Sequence, residues 1–320
     1  MTHTINQKKS FENFKIIYKI ESLSLIFLLG FELSYYLLIV QTGLAQHYNS
    51  DLVALSPLFV GGVSGTLLSG MDFSKNIKPI HKIIFALSLQ LLLSFSYPNF
   101  NTFTLGILGV SVGMMAPLSV FLFKQKQKIE LFIALAIAYT TGTYLFTTFA
   151  DTRGVLAIMF TTVALASALL LKDYKIQEQT EVKSRSFFMY IPLMFWIFLD
   201  SNLFESLSRT QNLDIWSHQT FTIITFHLFG LFIAYFNKTK ELNHHIVIAI
   251  FFMLSYALTY LNMPIALAIV YPFVISYYNV IVFMALSKEM SLKRLSFMMV
   301  FIAWIASGAG LALALSKVLY

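Results

Sequence analysis

Cysteine is missing from all 320 residues. That removes disulfides, thiolate metal ligands and a cysteine nucleophile, and it leaves the compartment unspecified by redox chemistry. Charge is scarce as well: Asp, Glu, Lys and Arg make up 12% of the chain, about half the ~25% usual in soluble domains. Reactive-site motifs are thin on the ground, with no DxxxD, DDxxD, HExxH, Walker or GxGxxG sequence. No loop is long enough to house a nucleotide-binding domain, which excludes an ATP-driven pump. An enzyme is therefore not expected, and neither is a cofactor or a resident metal site.

What fills the space is apolar sequence, 58% of the residues. A bilayer core of ~30 Å takes about 20 residues of helix. Eleven segments of suitable length run at 20–43, 51–72, 80–97, 101–123, 129–149, 153–171, 187–208, 218–236, 244–261, 263–286 and 295–316. All but three of the 22 Lys and Arg residues fall in the N-terminus and in alternate loops, the exceptions being Arg153, Arg209 and Lys317. Such a bias places the basic side, and with it the N-terminus, in the cytoplasm. The net charge of +7 is thus spread over loops, with no aromatic-interleaved patch of the kind that binds nucleic acid. Residues 1–19 are polar and basic with no small-residue cleavage signal, so the first segment reads as a retained signal-anchor helix. A bacterial-type inner membrane is the expected location, with the chain crossing it many times.

The longest cytoplasmic connection, 172–186, divides the chain into a six-segment half (20–171) and a five-segment half (187–320). The halves echo each other at a nearly constant offset. His81-Lys82-Ile83-Ile84 faces His244-His245-Ile246-Val247, Ile137-Ala138-Tyr139 faces Ile302-Ala303-Trp304, and Glu32 faces Asp200. Six spans return the chain to its starting side, so the repeat is parallel, with an axis along the membrane normal.

The layout resembles the major facilitator superfamily, in which two six-helix bundles surround a central cavity. Gly70-Met71-Asp72-Phe73-Ser74-Lys75 sits where that family has its Gly-rich acidic/basic loop. Gly106, Gly109, Gly113 and Ala116-Pro117 are similar to its Gly-spaced fourth helix. The loop departs from the family pattern at Asn76, Ile77, Lys78 and Pro79, and the twelfth helix is absent. The resemblance implies an all-α bundle of eleven spans, six plus five. A second protomer, a partner protein or lipid is expected where the twelfth helix would lie.

Charges within spans are costly and normally face protein or water. Glu32 lies about 12 residues into the first span, roughly 18 Å along its axis, and Asp200 is similarly deep in the seventh. Carboxylates at that depth can exchange protons as water access changes, or bind a cation. Tyr35 and Tyr36 follow Glu32 at i+3 and i+4. Asn202 widens the polar break around Asp200, and His227 sits mid-span as a proton relay, a metal ligand or a hydrogen-bonded core residue. Tyr278 and Asn279 make the tenth span polar-aromatic, and Tyr139, Thr143 and other hydroxyls do so in the fifth. Asp72 and Lys75 are placed to make a gating contact, while His244 and His245 read as solvated boundary residues.

These residues point to a secondary transporter of a small or cationic solute, coupled to protons, working by alternating access around Glu32 and Asp200. Two alternatives stay open. One is a facilitator-like scaffold or assembly factor that no longer transports. The other is a copper importer related to oxidase assembly, suggested by Met114-Met115, Met189 with Met194, and Met298-Met299, although helical spacing turns these pairs apart.

Overall fold

The computed structural model describes residues 2–49, 51–72, 77–123, 128–148, 152–173, 186–209, 213–237, 241–289 and 291–316, with side chains from residue 19 onward except those of 128, 148 and 209. Every element among them is helical. The long helices, in chain order, are α1 (Thr2–Tyr35), α2 (Leu52–Ser69), α3 (Pro79–Ser94), α4 (Thr102–Leu122), α5 (Lys128–Thr148), α6 (Arg153–Leu170), α7 (Ile191–Arg209), α8 (Thr220–Phe236), α9 (Glu241–Tyr260), α10 (Pro264–Leu286) and α11 (Leu292–Leu315). They fall on the eleven predicted segments. Nine are long and apolar enough to cross a membrane, while α3 and α8 are shorter apolar helices in the same bundle.

Local chemistry sets the helix ends. Asp51 starts α2 by accepting from the amides of Val53 at 2.8 Å and Ala54 at 3.4 Å. Asn101 and Thr104 form a reciprocal capping box on α4, and Pro264 opens α10, where its missing N–H is not needed. Two helices loosen midway. The α1 helix continues as a π-helix through Tyr36–Leu44, and α11 contains one at Val300–Ile305. Thr42 Oγ1 donates to the Leu37 carbonyl at 2.7 Å, using an acceptor that the wider turn exposes. π-Helical stretches inside α-helices often mark functional positions.

Within the first half, α1 packs on α5 and α6, α2 on α4, and α3 on α4 and α6. Within the second, α7 packs on α11, and α10 on α8 and α9. The halves meet along α2–α11 and α5–α8. Apolar side chains cover the outer faces: Val53 is 81% exposed and Phe103 74%. In water such a belt would drive aggregation, and in a bilayer it meets lipid.

One tie recurs in both halves at the end of the bundle where the basic loops lie. Ser22 donates to Glu130, at the start of α5, and Tyr190 donates to Glu289, just ahead of α11. The interval from Ser22 to Tyr190 equals that from Glu32 to Asp200, so the sequence repeat has a structural counterpart. Glu289 also pairs with Arg294 Nε at 3.1 Å. Lys82, which reads as a loop residue, is instead buried; its Nζ donates to the carbonyls of Ser69 at 2.9 Å and Met71 at 2.7 Å and so caps the end of α2. At the opposite end Arg153 is buried and donates to Gln46 at 2.6 Å and to the Phe146 carbonyl at 2.9 Å.

The α2–α4 contact is the closest in the bundle because its seam is glycine. A Cβ on Gly65 would lie 2.0 Å from the Val110 carbonyl oxygen, and one on Gly113 would lie 2.1 Å from that of Gly62. Small residues of this kind let helix backbones touch where no hydrophobic effect drives them together. Gly65→Leu and Gly113→Leu are each expected to destabilise the bundle by at least about 1–3 kcal/mol, lowering the thermal midpoint and the monodisperse yield in detergent. Gly308→Ala, where a Cβ meets nothing within 4 Å, is expected to leave both unchanged.

Candidate functional site

A cavity of ≈ 320 Å³ lies between the two halves, walled by side chains from α1, α4, α5, α7, α8, α10 and α11. Both π-helical segments reach it, through Tyr36 and Thr42 on one side and Ile302 and Trp304 on the other. The volume is at the lower end of the ~300–1,000 Å³ common for small-molecule sites.

Both intramembrane acids line this cavity. Glu32 is only 5% exposed, and Gln90 Nε2 donates to its Oε2 at 2.9 Å. The same amide reaches Thr161 Oγ1 at 3.3 Å, so α1, α3 and α6 are tied together through Gln90. Asp200 is half-buried. Tyr271 Oη donates to its Oδ1 at 2.8 Å, and Tyr278 Oη to its Oδ2 at 2.6 Å. Charge-assisted bonds from two hydroxyls hold this carboxylate in one orientation. His227 also lines the cavity, with its ring stacked on Tyr139 (centroids 4.5 Å apart, planes 10° apart). Its Nδ1 shares a hydrogen bond with Ser276 Oγ at 2.6 Å. These contacts join α5, α8 and α10 across the division between the halves.

Among the other predicted residues, Tyr36, Tyr278 and Asn279 face the cavity, and two do not. Tyr35 turns away from Glu32 into the core of the first half, where it accepts a long hydrogen bond of 3.4 Å from Ser94 Oγ. A one-residue step around a helix moves a side chain by about 100°, enough to separate Tyr35 from Tyr36. Asn202 is 0% exposed and structural: it donates to the Gly310 carbonyl at 3.3 Å and accepts from Tyr256 Oη at 2.9 Å, clamping α7 to α11 and α9. Among the described side chains of the fifth span, Tyr139 and Thr143 supply hydroxyls to the lining, and Tyr144 is exposed. Asp72 is exposed at the end of α2, while Lys75 and the side chain of Arg209 lie outside the described residues.

His244 and His245 are not the solvated pair expected from the sequence. His244 is buried, with Nδ1 at 2.7 Å from Tyr277 Oη, and His245 accepts from Trp196 Nε1 at 3.0 Å. Gly109–Gly113 reads G-x-S-x-G, but its Ser111 is wholly buried inside α4 and donates to the Ala86 carbonyl at 2.7 Å, so it is a packing serine. Met115 and Met299 reach the cavity singly. Among the described residues no three His, Asp or Glu side chains gather to hold a metal. Sequence reasoning missed Trp216 and Ser119 as lining residues. Trp216 sits on a one-turn helix (Ile215–His218) between spans, where no periodicity marks it.

No family model and no curated protein matches the sequence. The architecture is similar to that of FucP, a major facilitator superfamily transporter, in its crystal structure in the outward conformation. The TM-score is 0.59 at 13% identity, over 93% of this chain and 89% of that one. At that identity the likeness establishes the fold: this is a multi-pass membrane protein with the facilitator-superfamily architecture.

Because Asn202 and Tyr256 clamp helices away from the cavity, Asn202→Ala and Tyr256→Phe are expected to cost about 0.5–2 kcal/mol of stability each. Differential scanning fluorimetry of the detergent-purified protein reads this. A double variant that loses less than the sum of the two would show that they act through the same bond.

Proposed function

We propose that the chain is a secondary active transporter of a small solute, coupled to protons, in the cytoplasmic membrane with its basic loops inside. The observation that carries this is the central cavity, which takes one membrane-depth acid from each half. The arrangement serves transport rather than catalysis.

Each acid is bonded within its own half, Glu32 to Gln90 on α3 and Asp200 to Tyr271 and Tyr278 on α10. Rocking of one half against the other therefore leaves both sets of bonds intact and changes only which side of the membrane supplies water. A carboxylate that meets water alternately on two sides can take up a proton from one and release it to the other.

The contacts that must break are those between halves. At the basic-loop end these include Ser69 Oγ with Ser296 Oγ at 2.8 Å, Trp304 Nε1 to Thr66 Oγ1 at 2.8 Å, Phe123 against Phe283, and Phe132 against Tyr235. Lys82 keeps the end of α2 in register for the first of them. The gate at this end is the α2–α11 contact, with Asp72 three residues beyond the end of α2.

In proteoliposomes, wild type is expected to move protons when its solute is added from a panel of small molecules. Glu32→Gln and Asp200→Asn should each reduce that flux by roughly tenfold or more. Flux that survives in both variants would sink the coupling role, and well-folded wild type that moves nothing across a broad panel would favour a scaffold. The natural lack of cysteine gives a clean background for a second test. Ser69→Cys with Ser296→Cys should form a disulfide on oxidation and stop transport, with recovery on reduction. Undiminished transport by the cross-linked protein would remove this contact from the gate.

A further inference from the structure

Two residues of the cavity wall each carry a buried polar atom with no hydrogen-bond partner among the described residues: Trp216 at its Nε1–H and Ser119 at its Oγ. Their residues are 6% and 5% exposed. An indole N–H can only donate, and nearly all buried donors in folded proteins are paired. A donor left unpaired on a cavity-lining residue is one that an acceptor from outside the chain would satisfy.

The position of Trp216 is built. Asp214 accepts from its backbone amide at 3.1 Å and starts the short helix that carries it. Its ring packs against Phe146, Phe204 and Tyr271 with centroids 5.8, 5.7 and 6.5 Å away. Tyr271 is also the residue whose hydroxyl donates to Asp200 Oδ1 at 2.8 Å. One side chain thus separates the unpaired donor from the more accessible of the two acids.

The charge around them has one sign. Glu32 and Asp200 line the cavity, and no Lys or Arg is among its described lining residues. An anionic ligand would face two carboxylates with nothing to offset them. A cation in the cavity beside Asp200 would meet the carboxylate and the ring of Tyr278, with Tyr36, Tyr139 and Trp216 also in the lining, a setting that favours organic ammonium groups.

We infer that the cavity takes an organic amine. Its ammonium sits at Asp200, and a neutral acceptor on the same molecule (a hydroxyl, ether or amide carbonyl) receives the Trp216 Nε1–H. The inference rests on reading this cavity as the transport site, and it adds the chemical class of the solute.

The test is equilibrium binding to the full chain in detergent, with phenethylamine, its para-hydroxyl (tyramine), para-methoxy and para-acetamido derivatives, and para-hydroxyphenylacetate as probes. The substituted amines are expected to bind saturably, roughly tenfold tighter than phenethylamine, and the carboxylate not at all. Trp216→Phe should erase the advantage of the acceptor group while keeping the wild-type elution profile and thermal midpoint. Asp200→Asn should weaken every amine by roughly tenfold or more. Binding of the carboxylate as tight as that of tyramine, no saturable binding of any amine, or an acceptor preference that survives Trp216→Phe would overturn the inference. Amines that bind in this pattern without being carried would uphold it and count against the transporter. A neutral or anionic solute carried in dependence on both acids would do the reverse.

Discussion

Hydrocarbon on the outer face of each helix leaves a buried polar group no solvent except the protein itself. The structure follows from meeting that demand. Glu32 is met by Gln90, Asp200 by two tyrosines, Asn202 by Tyr256 and a carbonyl, and His244 by Tyr277. Each bond crosses from one helix to another, so satisfying the polar groups also fixes which helices are neighbours. The apolar surface cannot do this, because a leucine is as comfortable against lipid as against another helix. Glycine supplies the complementary device: along α2 and α4 it brings backbones so close that Thr66 reaches the Gly113 carbonyl at 2.9 Å.

The same constraint makes the two halves alike. Each begins with a helix carrying an acid at mid-depth, and ten residues earlier a hydroxyl (Ser22 or Tyr190) donates to a glutamate near the start of that half's fifth helix. The partners differ in kind: a serine is replaced by a tyrosine, and a glutamine by two phenols. What the repeat retains is the geometry of the tie and not the residue that makes it. This accounts for an echo in the sequence that is faint at any single position yet steady in offset.

Helix positions were legible because membrane depth is written in hydropathy, and the two acids drew notice because a charge inside a span is costly. Rotation about each helix axis was not legible. Tyr35 and Tyr36 are adjacent and Asp200 and Asn202 nearly so, yet one of each pair faces the cavity and the other packs between helices. That choice is made by the neighbouring helix, Ser94 in one case and Tyr256 and Gly310 in the other, and no local pattern carries it. Trp216 was hidden for another reason. It belongs to a connecting turn folded back against the ends of α5 and α7, and its role comes from Phe146 and Phe204, far from it in sequence. His244 and His245 misled because they border charged loop residues, while Tyr277 and Trp196 reach out to hydrogen-bond them, burying His244 and leaving His245 half-buried.

The two acids also constrain how a cation and a proton would share this cavity. Their charges have no basic counterpart among the described lining residues, so an empty cavity with both ionised holds two like charges in a poorly solvated space, an arrangement with a steep cost. Protons relieve that cost, and so does a cationic ligand. On the amine reading the two compete for the same negative charge: arrival of the ligand at Asp200 favours loss of a proton, and its departure favours regain. The carbonyl oxygen of each carboxyl goes on accepting in either protonation state, so the Gln90 bond and one tyrosine bond persist, while the second tyrosine bond to Asp200 weakens when the proton arrives. Coupling would then come from electrostatics within one cavity and not from a relay of moving side chains. It would run as an exchange, with proton and amine crossing in opposite directions.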